Sequence, residues 1–287
     1  MKIGFVVLLA LPASLAVAAP GNTPPEVADW FVLDPLRLHS TQMEVAAFSA
    51  HEWKVTPKDG RVVATAIPMD RVVQGDVPPF DFSGASMPRA SHWSRGTKYV
   101  LRVSDGWLVG HNAGEWRGSL WWFSESGDEH RRISSDQIYG WIRAKDAILG
   151  LAGFRHLDKS EGRIIEIFLD AQNNSWQSRP YCPLSSTPWA GTFVDGLGLL
   201  VVTSSSLLLI SDGGQSVTAL LESACFDALP PNSIAMDEHR RAYIGMRLGV
   251  AGIDLGGGPP KMEWLVPSKE YWERELQEWQ EAQERTR

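Results

Sequence analysis

The chain has 287 residues and carries 27 lysines and arginines against 34 aspartates and glutamates, a formal net charge of −7 at pH 7. The basic residues are scattered, which excludes the concentrated lysine and arginine surfaces that nucleic acids and anionic membranes require. Beyond the amino-terminal segment, no apolar run has the roughly 18 residues of a membrane-spanning helix. We therefore expect no transmembrane segment in the mature chain.

Residues 1–19 have the features of a secretory signal peptide. Lys2 precedes a short apolar run, and small alanines follow it. We expect cleavage after Ala18 or Ala19, and therefore an exported protein that is periplasmic or extracellular. An uncleaved membrane anchor is the alternative, but Pro12 interrupts the apolar run and shortens it.

Residues 20–49 begin with "PGNTPPEVAD", which we interpret as a linker. The following stretch, "WFVLDPLRLHSTQMEVAAFSAHEW", is more apolar. It is expected to supply strands that join the beginning of the next domain to its end, or to form an incomplete extra repeat.

Residues 50–267 contain a degenerate repeat. Five segments share a turn with an acidic residue, an apolar run, a polar or glycine break and a second apolar run. Successive acidic turn residues are between 41 and 49 positions apart. These residues are Asp59, Asp105, Asp146, Asp195 and Asp237. A period in the forties with several short strands in each repeat is typical of β-propeller blades.

The apolar runs support the same interpretation. "SLWWFS", "LGLLVV" and "RIIEIFLD" do not alternate between apolar and polar residues, as a strand with one solvated face would. A blade lies between two neighbours, so its middle strands are buried on both faces and can be continuously apolar. We expect Trp121 and Trp122 to point to opposite neighbours.

The segment "SIAMDEHRRAYIGMRLGVAGIDLGG" resembles a blade of the β-propeller superfamily, of the NHL-like or quinoprotein-like kind. The resemblance covers about residues 50–267 and is architectural. It implies an all-β fold, a propeller of five or six four-stranded blades, and no particular activity. The repeat motifs of WD, sialidase and alcohol-dehydrogenase quinoprotein propellers are missing.

Residues 268–287 predict a short amphipathic helix at the end of the chain. Ser268 is a suitable N-cap, and Trp272, Leu276 and Trp279 share one helical face. The helix is expected to dock on the side of the propeller; binding a partner is the alternative.

The two cysteines, Cys182 and Cys225, lie near predicted loops. An exported protein can form a disulfide between them. Two separate buried thiols are the alternative.

A candidate ligand site follows from the connections between the second and third strands of two neighbouring blades. The connections "HNAGEWRG" and "GFRHLDKSEG" are longer than the matching connections of the last two blades. They are expected to lie side by side on one face of the ring and to form a concave patch. Its predicted members are His111, Glu115, Trp116, Arg117, Arg155, His156 and Asp158.

The sequence favours a non-enzyme, without deciding the matter. We find no spacing typical of a metal site, a nucleophile elbow, a phosphate loop or a dinucleotide site. No catalytic residue, metal ligand or cofactor is assigned, and the cofactor and oligomeric state remain unknown.

The first interpretation is a binding module for an envelope component or protein partner. The alternative is a propeller that binds or hydrolyses carbohydrate through tryptophans and paired carboxylates such as Glu115 and Asp158. A quinone-dependent or metal-assisted enzyme ranks third.

Export gives the first testable prediction. Because the signal peptide is removed during translocation, the mature protein should begin at Ala19 or Pro20. Amino-terminal sequencing of protein from the envelope fraction or the medium checks this. Recovery of intact Met1 in the cytosol would contradict it.

Overall fold

The structure is a computed structural model in which the following residues are described: 26–33, 40–69, 72–82, 96–116, 118–157, 159–222 and 225–286. The predicted signal peptide lies outside the described residues. Within them, no helix combines the length and apolar character needed to cross a membrane.

The chain between Glu26 and Ser49 forms short elements that precede the main sheets. A single 3-10 turn spans Val27–Asp29, strand β1 spans Phe31–Leu33 and helix α1 spans Thr41–Phe48. The hydroxyl of Ser40 caps α1 by accepting a hydrogen bond from the Met43 amide at 3.3 Å. The sequence did not predict α1, since its apolar residues lack a helical period.

Five sheets follow along the described part of the chain. The first contains β2 (Glu52–Lys58) and β3 (Arg61–Ile67). The second contains β4 (Val73–Gly75), β5 (Thr97–Val103), β6 (Gly106–Asn112), β7 (Gly118–Phe123) and β8 (His130–Ser134). The third contains β9 (Ile138–Ala144), β10 (Ala147–His156), β11 (Lys159–Asp170) and β12 (Ser175–Leu184). The fourth contains β13 (Pro188–Val194), β14 (Gly198–Thr203), β15 (Ser206–Ile210) and β16 (Val217–Glu222). The fifth contains β17 (Ser233–Met236), β18 (Arg241–Gly245), β19 (Val250–Asp254) and β20 (Lys261–Val266), with β1 paired to β20 as its outermost strand.

A central cavity of about 300 Å³ shows how the sheets are arranged. All five sheets contribute their first long strand to its wall. Representative residues are Val55 of β2, Val100 of β5, Gly140 of β9, Ala190 of β13 and Ile234 of β17. Sheets whose inner strands surround one axis form a propeller. The predicted β-rich propeller resemblance is therefore confirmed.

The strand number per sheet differs from the uniform four that the repeat predicted. Among the described residues, only the third and fourth sheets have four strands. The first sheet has two. The short strand β4 adds to the second sheet, parallel to β5, and β1 adds to the outer edge of the fifth. A degenerate repeat marks the inner hairpin of each sheet and carries no information on the outer edge.

The five acidic repeat residues occupy equivalent positions. Each lies in or beside the hairpin turn between the first two antiparallel strands of its sheet. Asp237 shows why an acidic residue suits this turn. Its carboxylate accepts hydrogen bonds from the backbone amides of His239 at 3.0 Å and Arg241 at 2.8 Å. The period in the sequence is therefore the period of the inner hairpins.

Burial on both faces explains the apolar run of β7. Leu120 and Phe123 are fully buried, whereas Trp121 and Trp122 are half-buried. Trp122 packs into the cluster shared with the third sheet, and Trp121 into a cluster on the opposite face. The two tryptophans thus point to opposite sides, as predicted, but only Trp122 faces a neighbouring sheet, since Trp121 packs beside Phe80 and Phe82. The side of Trp121 is covered by Phe80, which stacks on Phe123 with 5.5 Å between ring centroids.

The first sheet is joined to the fifth. The amide of Trp53 donates to the carbonyl of Met246 at 3.0 Å, and the amide of Leu248 donates to the carbonyl of His51 at 2.8 Å. The amide of Val55 donates to the hydroxyl of Ser233 at 2.9 Å. Trp53 itself is fully buried in the largest apolar cluster, which contains residues of both sheets.

Helix α2 spans Lys269–Thr286 and docks on the ring. The Ser268 hydroxyl accepts the amide of Tyr271 at 3.1 Å, as expected of the predicted N-cap. Trp272, Leu276 and Trp279 pack against the largest apolar cluster. The structure therefore agrees with the docked interpretation of the predicted helix.

Cys182 of β12 is a free, buried thiol. Burial raises its pKa. The side chain of Cys225 is not among those described, so its pairing stays a prediction.

A buried acid anchors α2 to the start of β2. Glu275 is 2% exposed, and its Oε1 lies 2.8 Å from Nδ1 of His51. The hydrogen bond to Glu275 raises the pKa of His51, against the effect of burial. Burial would raise the pKa of Glu275, but hydrogen bonds from His51 and Ser49 lower it below its ordinary value.

These shifts set a pH window for the docking of α2. Because its pKa is raised on folding, His51 contributes its full stabilisation of the folded state below pH 6.5. This contribution is lost as the pH rises through the raised pKa. Because its pKa is lowered on folding, Glu275 contributes its full stabilisation of the folded state above pH 4.5. This contribution is lost as the pH falls through the lowered pKa. The pair is therefore most stabilising between pH 4.5 and 6.5.

We predict that Glu275→Gln lowers the free energy of unfolding by about 1–3 kcal/mol near pH 6, because His51 loses its charged partner. The loss should shrink above the window as His51 becomes neutral. Urea denaturation at several pH values measures the difference. Glu273→Gln is the matched control, since Glu273 lies on the same helix in an exposed ion pair with Lys269. Equal effects of the two variants would contradict the prediction.

Candidate functional site

The candidate patch lies at the ends of β6 and β10, on the face of the ring opposite the acidic turns. After β6, a single 3-10 turn spans Gly114–Trp116. The predicted loop after β10 is instead a strand extension. β10 and β11 stay paired up to His156 and Lys159, which have two residues between them in the sequence. The glycines in "GFRHLDKSEG" suggested a loop, but a Cβ on Gly162 would lie 2.0 Å from the carbonyl oxygen of Ser186, so glycine is required here for close packing.

Strand geometry sends Arg155 and His156 to opposite faces of this extension. Arg155 Nη2 donates to Oδ2 of Asp227 at 2.7 Å, on the side of the fourth and fifth sheets. Nδ1 of His156 lies 3.6 Å from Oε2 of Glu115, on the side of the second sheet. Both predicted basic residues therefore have an acidic partner, and the extension is held on both sides.

A cleft of about 490 Å³ opens beside the extension. It is lined by Asn112, Gly114, Tyr139, Arg155, His156, Leu157 and Trp189. Tyr139 and Trp189 belong to inner strands and also line the central cavity. The cleft is therefore at the mouth of the central cavity, where loops of the second, third and fourth sheets meet.

The floor of the cleft is aromatic and polar. The rings of Tyr139 and Trp189 are 5.3 Å apart in an edge-to-face arrangement. Nε2 of Gln137 donates to Oδ1 of Asn112 at 2.6 Å and to the hydroxyl of Tyr139 at 3.2 Å. Burial raises the pKa of Tyr139, so its hydroxyl stays protonated at neutral pH.

Two buried polar atoms at this floor have no hydrogen-bond partner among the described residues. They are Oε1 of Gln137 and Nε1 of Trp189. Buried polar groups are paired in most proteins, so each unpaired one calls for an explanation. Both atoms are buried, and of the two residues only Trp189 lines the cleft.

The predicted residues have different fates. Arg155 and His156 line the cleft, Glu115 contacts His156 at its rim, and Trp116 is 53% exposed beside it. His111 does not reach the cleft: it is 1% exposed, on the face of β6 that is covered by the segment containing Phe80. Arg117 and Asp158 lie outside the described residues. Whether the patch binds a ligand stays a prediction.

The floor residues were not among the predicted set. Tyr139 and Trp189 were missed because they lie on first strands rather than in loops. A signal was present, since Tyr99, Tyr139 and Trp189 all occur near the start of a first strand and all line the central cavity. Gln137 and Asp227, far apart in sequence, carry no local signal.

The arrangement is suited to recognition. Its charged groups are held in the pairs Arg155–Asp227 and His156–Glu115, and its floor offers stacking and hydrogen bonding. Among the described residues, no three histidine, cysteine, aspartate or glutamate side chains are placed to hold a metal ion. The carboxylate pair that would test hydrolysis includes Asp158, which is not described.

No family model and no curated protein matches the chain. Propeller-like solved structures resemble it distantly. Virginiamycin B lyase from Staphylococcus aureus is 12% identical, with a TM-score of 0.41 over 84% of this chain and 76% of that one. The extracellular domain of a putative one-component system from B. thetaiotaomicron is 13% identical, with a TM-score of 0.42 over 74% of this chain but only 26% of that one. PorZ, a surface component of the type-IX secretion system of Porphyromonas gingivalis, is 7% identical, with a TM-score of 0.38 over 71% and 31%. Likeness at this level says nothing about function.

We predict that the rim can be altered without loss of the fold. Arg155→Ala should lower the free energy of unfolding by less than about 1 kcal/mol, because its ion pair with Asp227 is exposed. Phe123→Ala should cost about 3–5 kcal/mol, because the side chain is fully buried. Urea denaturation measures both. A loss of several kcal/mol for Arg155→Ala would show that the pair is structural.

Proposed function

We propose that the protein is an exported, non-catalytic β-propeller that binds a protein partner through the cleft at the mouth of its central cavity. We further propose that the ring has five blades, of which the two-stranded first sheet is an incomplete one. In this proposal residues 1–19 are removed, residues 50–267 form the propeller, and residues 268–287 form the docked helix.

The exposed apolar residues at the rim of the cleft support the proposal most. Trp116 is 53% exposed and Leu157 is 81% exposed, at the tips of adjacent connections. Leu157 also has a positive φ of 54°, a backbone conformation found in tight turns. Tryptophan and arginine are enriched among residues that dominate protein–protein binding, and Arg155 lies next to these tips.

The floor of the cleft suits a peptide segment. An extended backbone presents N–H and C=O groups, which can hydrogen-bond to the side chains of Asn112 and Tyr139 among the residues that line the cleft. At the rim, the Arg155–Asp227 ion pair supplies one charge of each sign. A loop or terminus of a partner that enters the cleft would contact Tyr139 and Trp189 at its floor, while its flanks cover Trp116 and Leu157.

Carbohydrate binding is the second candidate. It is favoured by the edge-to-face pair Tyr139 and Trp189 beside the amide of Asn112, because sugars bind to aromatic side chains through their C–H groups and to amides through their hydroxyls. The two candidates use different parts of the site. A glycan needs the floor, whereas a protein also needs the exposed tips.

Site-specific photocrosslinking tests the proposal. A benzoylphenylalanine placed at position 157 or 116 should form one discrete adduct in cell-envelope preparations. The same group at position 217 is the matched control, because Val217 is 45% exposed on an outer strand. We expect no adduct from position 217, and we expect Arg155→Ala to weaken the adduct formed from position 157.

Two outcomes would contradict protein binding at the cleft. One is the same set of adducts from all three positions, and the other is no adduct from any of them. A glycan array separates the second candidate: glycan binding that is lost in Trp189→Leu but kept in Leu157→Ser would favour carbohydrate.

A further inference from the structure

A second cavity lies on the face of the second sheet that the segment after β4 covers. Its volume is about 470 Å³, and its walls are mainly apolar. The side chains that matter here are those of Val72, Val77, Phe80, Phe82, Asp81 and Lys98. It is separate from the cleft at the mouth of the ring, with which it shares no lining residue.

Lys98 is the unusual member of this cavity. It lies in β5 and is only 2% exposed. Its cross-strand neighbours are Val73 on β4 and His111 on β6. Lysine is almost never fully buried unless its charge is paired. A buried lysine on the wall of a cavity therefore calls for a partner.

The ammonium group of Lys98 is poorly satisfied within the chain. It can donate three hydrogen bonds, and its one hydrogen bond among the described residues, to the carbonyl oxygen of Gly96, is long at 3.4 Å. No ion pair within the described part of the chain includes it. Burial lowers its pKa. Lys145, exposed and paired with Asp212, has a raised pKa instead. A buried charge without a partner is destabilising, and an anion at this point would offset that cost.

Two valines that line the cavity are exposed. Val72 is 55% exposed and Val77 is 85% exposed, close together in the chain. Phe80 and Phe82 form the inner wall, in edge-to-face contact at 5.7 Å. An apolar body placed between the valines and the two phenylalanines would bury surface on both sides, which is favourable.

One acidic residue also lines the cavity. Asp81 has an interaction of its own, and no ion pair within the described part of the chain joins it to Lys98. A ligand with a single anionic group would place that group at Lys98 and its apolar part along Phe80 and Phe82. A cationic or neutral amphiphile would leave Lys98 unpaired.

We propose that this cavity binds a free medium-chain carboxylate, with its carboxylate paired to Lys98 and its alkyl chain against Phe80, Phe82, Val72 and Val77. The site is independent of the proposed protein-binding cleft. It would make the exported protein a carrier or sensor of a small anionic amphiphile.

Isothermal titration calorimetry of the full mature chain tests this with octanoate as the probe. Octanoate should bind at least about tenfold more tightly than octan-1-ol, which has the same chain without the charge. Acetate, which has the charge without the chain, should not bind measurably. Equal affinity for octanoate and octan-1-ol would overturn the proposal, because the amine would then play no part.

Variants identify the residues. Lys98→Met keeps the apolar stem and removes the charge, and it should weaken octanoate about tenfold or more, to the level of octan-1-ol. Phe80→Ala should weaken the binding of both octanoate and octan-1-ol.

Lys261→Met, at an exposed position of β20, is the matched control and should bind octanoate as the wild type does. Trp116→Ala should also leave octanoate binding unchanged, which separates this site from the cleft. Unchanged binding in Lys98→Met would overturn the proposal.

A measurement on the wild type keeps the test independent of how the variants fold. Octanoate labelled with ¹³C at its carboxyl carbon reports its own titration by NMR when bound. Pairing with an ammonium group favours the charged form, so the pKa of the bound ligand should lie below that of free octanoate. A bound carboxyl with an unchanged or raised pKa would also overturn the proposal.

Discussion

Closure of the ring between its first and last sheets is the constraint on which the other features depend. Sheets that are apolar on both faces are stable only when each has a neighbour on both sides, so an open row would leave two apolar faces in water. Here the beginning of the described chain is tied to its end. The amide of Trp53 donates a hydrogen bond to the carbonyl of Met246, and the amide of Val55 donates one to the hydroxyl of Ser233. β1 extends the last sheet beyond β20. Helix α2 then covers the junction, with Glu275 bonded to His51.

The candidate cleft follows from what closure brings together. The cleft is lined by residues from the second, third and fourth sheets, and Asp227, ahead of the fifth sheet, binds Arg155 at its rim. Residues that come from different sheets are far apart in the sequence. They meet at the cleft because the inner strands of the sheets surround one axis. The two-stranded first sheet leaves the facing side of the second sheet to be covered by other residues. Phe80 and Phe82 take that place, and the cavity beside Lys98 is the result.

The inner hairpins were predictable, and the outer edges and floor were not. Asp237 and the other four acidic repeat residues lie at tight hairpin turns, where a side chain that accepts hydrogen bonds is favoured. They can therefore be recognised in the sequence by their regular spacing. The opposite sides of Trp121 and Trp122 follow from strand geometry alone. The extension of β10 was missed because Gly162 was interpreted as a loop residue, although it serves close packing. Lys98 was overlooked because a lysine in a strand normally faces solvent, and only the tertiary structure buries it.

Native-state hydrogen exchange of the amides that cross the junction tests ring closure most directly. The amides of Trp53 and Leu248 donate across it, whereas that of Leu149 lies within the third sheet. If the ring closes as one cooperative unit, all three amides should exchange with the free energy of global unfolding. Exchange of Trp53 and Leu248 at a free energy several kcal/mol below that of Leu149 would mean that the junction opens by itself, and it would contradict the closed ring.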